Sequence, residues 1–234
     1  MKKRKLFSTA LVSLFIISAF ISCKKNGPTP KPNCKIVAEI AGNKAISFAY
    51  NAEGKLRLIS GATTDKFTYN GNIIIITNST GATINTISTV TLNANGLASN
   101  VSVVNAAGSN LSNTAFEYNG NELSKSTLTN PGGVDIITYN WSGENIVSSQ
   151  EGSTITLFDY LPDKPAQSGD FWGMLSLAKG FETIKTKNVL KSFTTPGSTT
   201  TINYTFDADG KITGLTGIGN GTILLALTYQ YECN

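Results

Sequence analysis

The sequence predicts an all-β fold: a large antiparallel, up-and-down sheet of repeated hairpins, barrel-like or strongly curved, with one short helix near 170–180. Three observations predict it. A motif of alternating aromatic and polar residues leading into a glycine turn recurs along most of the chain, as in Phe116-Glu117-Tyr118-Asn119-Gly120-Asn121-Glu122-Leu123. Its copies are spaced so that each interval fits one hairpin. The composition is polar but uncharged, with 40% hydrophobic and only 15% charged residues. At 234 residues the chain suits one large all-β domain.

The first clear copy is Phe48-Ala49-Tyr50-Asn51-Ala52-Glu53-Gly54-Lys55-Leu56. Phe48 and Tyr50 share a face because strand side chains repeat every two residues. A tight loop with left-handed Gly54 would pair Tyr50 with Leu56 and Phe48 with Leu58. Further copies end at Asn70-Gly71, Asn95-Gly96 (with Leu92 in the aromatic slot), Ser142-Gly143 and Asp209-Gly210. Ile73–Ile76, a continuous apolar run, suggests burial on both faces. The slot residues Tyr50, Tyr69, Leu92, Tyr118, Tyr139 and Tyr160 are separated by 19, 23, 26, 21 and 21 residues, an imperfect period that indicates a repetitive antiparallel array. In Phe116–Leu123 an Asn119-Gly120 turn would set Phe116 opposite Leu123 and Glu117 opposite Glu122. That like-charge pairing favours considering a one-residue shift of the turn.

Residues 1–22 have the layout of a secretory signal: Lys2-Lys3-Arg4-Lys5, then an apolar run from Leu6 to Ile21. The run is shorter than the ~20 residues of a membrane span. Phe20-Ile21-Ser22-Cys23 resembles the lipobox of bacterial lipoproteins, with Phe where Leu is usual, and Cys23 would be the lipidated residue and new N-terminus. An uncleaved anchor and an ordinary signal cut elsewhere are the alternatives. Residues 23–34 form the lipidated cysteine and a tether in which Pro28, Pro30 and Pro32 favour an extended conformation. The globular domain is 35–234. Lys24 and Lys25 stand where some envelope lipoproteins carry an acidic export signal, so periplasmic and surface display both stay open.

The formal net charge of +4 resides in the four basic residues of the leader. The remainder is neutral and carries no basic stripe, so nucleic acid is not an expected partner. The chain has no histidine, which removes Ser-His-Asp and Cys-His mechanisms and the commonest metal ligand. Cys34 and Cys233, at the two ends of the domain, are expected to form a disulfide in an oxidising envelope. Neither a metal site nor a cofactor is expected.

The aromatic-x-Tyr-Asn/Asp-x-x-Gly-x-Leu/Ile units behind a lipobox resemble an uncharacterised family of Bacteroidetes lipoproteins, catalogued as a domain of unknown function with a porin-like fold. The resemblance covers about residues 35–234. It implies a large barrel-like antiparallel sheet and no established activity, and it supplies no site residues. A membrane-spanning barrel is not expected, because one face of the strands is rich in Thr, Ser and Asn and the lipid anchor would be redundant.

Residues 161–187 break the rhythm. Ser168-Gly169-Asp170 can cap a short helix over Phe171–Lys179, ended by Gly180. The helix is apolar nearly all round, so it is expected to be buried, plugging one end of the barrel or lying across the sheet. It is also a candidate lid over a binding cleft.

Asp207-Ala208-Asp209-Gly210 lacks the spacing and closing Glu of a calcium loop, and Gly217–Gly221 lacks the downstream helix of a nucleotide loop; both are turns. Asp159 with Asp163 or Asp170, and Glu144 with Glu151, are the local carboxylate pairs that a hydrolase could use. Trp141, Tyr160 and Trp172 are the candidate ligand-binding aromatics, Trp141 because it lies off the regular alternation beside a turn. Core packing is the competing reading for all of them. The expectation is a lipid-anchored cell-envelope protein, at the outer membrane, with a non-catalytic binding or scaffold role. Glycan or an envelope protein is the expected partner, and a carboxylate-based hydrolase is the remote alternative.

Overall fold

The computed structural model describes residues 34–233. The signal segment, Cys23 and the tether up to residue 33 lie outside the described residues. Sixteen strands and one helix are present among the described residues. The first half comprises β1 (Cys34–Ala41), β2 (Lys44–Tyr50), β3 (Leu56–Ser60), β4 (Thr64–Asn70), β5 (Ile73–Thr80), β6 (Thr83–Leu92), β7 (Ala98–Asn105) and β8 (Asn110–Asn119). The second comprises β9 (Glu122–Asn130), β10 (Gly133–Ser142), β11 (Asn145–Glu151), β12 (Thr154–Pro165), α1 (Phe171–Lys179), β13 (Asn188–Thr195), β14 (Ser198–Phe206), β15 (Ile212–Gly219) and β16 (Thr222–Cys233). Every strand pairs antiparallel with its sequence neighbours, and β1 pairs with β16 to close an up-and-down barrel. The closed form is thus the one adopted.

An even strand number puts both chain ends at the same rim. Cys34 and Cys233 are cross-strand partners there and form a disulfide. This terminal rim also carries the longer glycine loops and α1, whereas the opposite rim carries short hairpin turns such as 42–43, 81–82 and 220–221. The ring, its core and its disulfide all lie within one compact unit, residues 33–234, which therefore contains what it needs to fold alone.

The recurring tyrosines have a specific place. Strand pairs β1–β2, β3–β4, β7–β8, β13–β14 and β15–β16 splay at the terminal rim. Their last paired residues are Ala38 with Ser47, Leu58 with Lys66, Asn100 with Ala115, Ser192 with Thr201, and Gly214 with Thr228. Just beyond, a tyrosine three residues further along the second strand donates to a carbonyl two residues back on the first. Tyr50 bonds Ile36 at 2.7 Å, Tyr69 bonds Leu56 at 2.7 Å and Tyr118 bonds Ala98 at 2.7 Å. Tyr204 bonds Leu190 at 2.8 Å, and Tyr231 bonds Ile212 at 2.7 Å. Each phenol replaces a missing rung of the ladder, so the backbone carbonyl stays satisfied where the strands part. Between β5 and β6, where Leu92 fills the slot, the backbone continues instead, with Leu92 N donating to the Asn72 carbonyl at 2.7 Å.

Two local expectations need correction, and the one-residue turn shift considered for Phe116–Leu123 is the form adopted. Tyr50 pairs with Leu56 as expected, but a bulge then sets Phe48 opposite Ile59, not Leu58. The β8–β9 turn is Gly120-Asn121: Asn119 pairs with Glu122, Tyr118 with Leu123, and a bulge brings Glu117 opposite Lys125, with which it forms an ion pair. The like-charge contact is avoided by that shift. Ile73–Ile76 is not buried on both faces; Ile74 and Ile76 are buried inward, while Ile73 and Ile75 are half-buried on the outer wall. β12 also runs on through Pro162 to Pro165, where the register against β13 jumps.

Sixteen-stranded barrels are too wide for wall side chains alone to fill. Here α1 supplies the filling. Asp170 caps it, accepting from Gly173 N at 2.7 Å and Gln167 N at 2.8 Å, and left-handed Gly180 ends it against the Phe67 ring. Met174 is buried among residues of both halves of the barrel, including Phe48, Leu56, Val189, Ile212 and Leu227. A second, smaller cluster joins Leu123, Ile146 and Ile184, with Trp141, Phe158 and Trp172 packed against it.

Candidate functional site: the barrel lumen

The helix and the segment that follows it cross the lumen and tie down to the wall. Phe171 stacks near Phe193 and Trp172 near Phe158, with ring centroids 5.8 Å and 5.7 Å apart. Further on, the Glu182 carbonyl accepts from Ala98 N at 2.8 Å, and the Lys187 ammonium pairs with Glu144 at 3.1 Å. The helix and this segment thus occupy the terminal end, where a second cavity of about 610 Å³ remains beside them, lined by residues including Tyr50, Gln167, Gly173 and Leu177. Toward the other rim the inward positions Asp135, Glu151 and Thr154 are exposed, and Leu224 is 63% exposed, so the lumen opens there. The barrel has the form of a cup.

Inside the cup is a cavity of about 680 Å³. Its apolar lining includes Phe116, Leu128, Ile137, Phe158, Trp172 and Phe181, and its polar lining includes Asn78, Ser126, Tyr139 and Ser149. The alternation of each strand explains the mixture, because every second residue faces inward and those residues are a blend of aromatics and hydroxyls. Two charged residues line it, Asp65 and Lys179. The Asp65 carboxylate accepts from Asn78 Nδ2 at 2.6 Å. Lys179, in the last turn of α1, is solvent-exposed; the protein around it still shifts its ammonium pKa downward through desolvation. Among the described residues no carboxylate stands within ion-pair distance of it.

The aromatics singled out by sequence gather near the plug and form no open platform. Trp141 is half-buried, and its indole Nε1 donates to the Leu123 carbonyl at 2.8 Å, the same rung-replacing position that the tyrosines occupy elsewhere. Contrary to the sequence reading, Trp141 keeps the alternation of β10, two residues beyond inward-facing Tyr139, and the extra residue of the bulge beside it is Val147 on β11. Tyr160 and Trp172 are half-buried; the Tyr160 hydroxyl and the Trp172 indole nitrogen are enclosed without a hydrogen-bond partner. Burial pushes the Tyr160 phenol up to about 12. Only Trp172 of the three lines the lumen cavity. Cys34 and Cys233 are in the disulfide, and Cys23 lies outside the described residues.

The carboxylate pairs are dispersed. Asp159 is exposed and pairs with Lys191 at 2.8 Å, Asp170 is buried under the helix, and Asp163 is exposed beyond the barrel wall's regular pairing. Glu144 and Glu151 stand at opposite ends of β11. Lys179, Asp65 and Asn78 were not legible as a site. The one available signal was that Lys179 is the single charged residue in an otherwise apolar helix.

A cup-shaped, sixteen-stranded up-and-down barrel with a helix across its lumen is the class that fold and cavity define. A porin-like protein from Bacteroides uniformis ATCC 8492 is similar, with a TM-score of 0.65 and 18% identity over 85% of this chain and 95% of that one. Another porin-like protein, from Bacteroides vulgatus ATCC 8482, gives 0.59 and 13% identity over 83% and 97%. At these identities the likeness is one of fold. No protein-family model matches the chain, and no curated protein does.

Proposed function

We propose that this is a lipid-anchored cell-envelope protein whose barrel is a non-catalytic binding module, with the lumen as its ligand site. The carrying observation is the cavity of about 680 Å³ in the lumen, bounded on its terminal side by α1 and the segment after it. That size, and its mostly apolar lining with a few polar groups, suit a small-molecule site. Occupation of the terminal end by the helix argues for holding a ligand instead of conducting one. The ion pairs Glu117–Lys125 and Asp159–Lys191 stand on the outer wall, where charges would be costly against lipid, and so support a barrel that sits in water beside the membrane. Cys23 supplies the anchor in this reading.

Native mass spectrometry of the protein released gently from envelopes tests the binding role: a retained small molecule is expected, and it should be lost when Ser149→Phe fills the lumen. The same ligand on the Ser149→Phe protein would place the site elsewhere. Cys23→Ser should abolish incorporation of labelled fatty acid; unchanged labelling would remove the anchor from the reading.

A scaffold role is the second reading. It is favoured by Val134, Ile136, Ile155 and Leu157, which are 58%, 47%, 47% and 55% exposed on β10 and β12, either side of β11.

A further inference from the structure

We propose that the lumen takes an anionic amphiphile, an apolar body bearing a carboxylate or sulfate, whose charged group is held by Lys179; this rests on the lumen being the ligand site. Three observations converge on it. The cavity wall is dominated by aromatic and branched apolar side chains contributed by β8, β9, β10, β12 and the segment after α1, among them Phe116, Leu128, Ile137, Phe158 and Phe181. A ligand that is polar throughout would leave that surface poorly matched. Among the described residues the lysine is the only cation lining the cavity. It is solvent-exposed, and no carboxylate of the described residues stands close enough to pair with it. An unpaired ammonium beside an apolar cavity can meet an incoming anion without first breaking an ion pair within the protein.

The position of Lys179 is fixed, not incidental. Gly180 follows it in the left-handed conformation and packs on the Phe67 ring, which holds the helix end against β4. Asp65, two residues before Phe67 on the same inward face, is the one acidic group lining the cavity among the described residues. It is engaged by Asn78 and does not reach the ammonium. Its charge opposes an anion, so Asp65→Asn should tighten binding of the ligand class proposed.

Decanoate, decyl sulfate, decanol and decylammonium, each below its micelle concentration, form a matched probe series for titration calorimetry on the barrel unit, residues 33–234. The two anions are expected to bind up to about 5-fold more tightly than decanol, the range of a solvent-exposed ion pair. Lys179→Met should bring decanoate to the affinity of decanol while leaving decanol unchanged, and Lys179→Arg should retain most of the preference. Lys179→Gln serves the same comparison should the Met variant fold poorly. Equal binding of decanoate and decanol, or tighter binding of decylammonium, overturns the anion assignment while leaving a lumen site in place. Binding of all probes that Ser149→Phe leaves untouched overturns the lumen reading itself, and the assignment with it.

Discussion

The hydroxyl of Tyr69 donates to the carbonyl of Leu56 at 2.7 Å, from near the end of β4 to the first residue of β3. The two strands have already parted there, and the phenol stands in for the backbone donor that the carbonyl has lost. Removing the hydroxyl should leave that carbonyl without a partner. Tyr69→Phe and Tyr118→Phe are each expected to lower stability by about 1–2 kcal/mol, read from urea unfolding midpoints. Tyr160 occupies the corresponding slot in β12, but its hydroxyl makes no well-formed hydrogen bond and only lies near the Trp172 indole and the Ile146 backbone, so Tyr160→Phe should cost less than either. Equal losses at all three would refute the rung-replacement account.

Gly180 is required twice over, by its left-handed backbone and by the Phe67 ring beside it. Gly180→Ala is expected to destabilise by about 2–3 kcal/mol, combining the conformational and overpacking costs. Pairing it with Phe67→Leu should recover part of that loss. A double variant no better than the single one would show that the ring is not the obstacle.

Asp170 links stability to pH. Burial raises its carboxyl above the usual value, against the amides of Gly173 and Gln167 that lower it. With the folded value above the unfolded one, the folded state binds the extra proton between the two. Asp170's contribution is therefore fully present below the unfolded carboxylate range and declines as pH rises through the folded value. Asp170→Asn keeps an efficient cap and removes the charge. Its stability curve should rise relative to the parent as pH increases through that window, and a constant difference across the range would contradict the assignment.

The disulfide closes a loop with a sequence separation of 199. In the chain-entropy model a loop of that length contributes about 5 kcal/mol. Cys34→Ser with Cys233→Ser should lower the denaturant midpoint accordingly, with little change in the far-ultraviolet spectrum of the native state. An unaltered midpoint would place the cross-link's role elsewhere.

The array of hairpins was legible because a two-residue period and a glycine turn are local properties, visible in each copy. The helix and both its caps were legible for the same reason, since Asp170 and Gly180 act on their nearest neighbours. What escaped was everything set by the neighbouring strand. The turn shift that separates Glu117 from Glu122 was foreseeable, but its pairing with Lys125 depends on a bulge at Ser124 that only the partner strand reveals. Trp141 looked displaced from the pattern, yet its indole fills the slot that a tyrosine fills elsewhere. The lumen site draws Asp65 and Asn78 from early strands and Lys179 from the plug, residues that share no local signature. Only closure of the ring brings them to one cavity.

Cys34 and Cys233 sit opposite each other in the ladder that joins the first strand to the last. The cross-link therefore makes the polypeptide between them a covalent circle, with every neighbouring pair of strands, including the last with the first, joined through the chain. No seam of the wall depends on hydrogen bonds alone. A nick in any hairpin turn would then leave the two halves of the break attached through the disulfide, and new chain ends could be placed at such a turn without freeing a strand. The reduced protein has a single weak seam, at β1 and β16, and that is where the wall would first part.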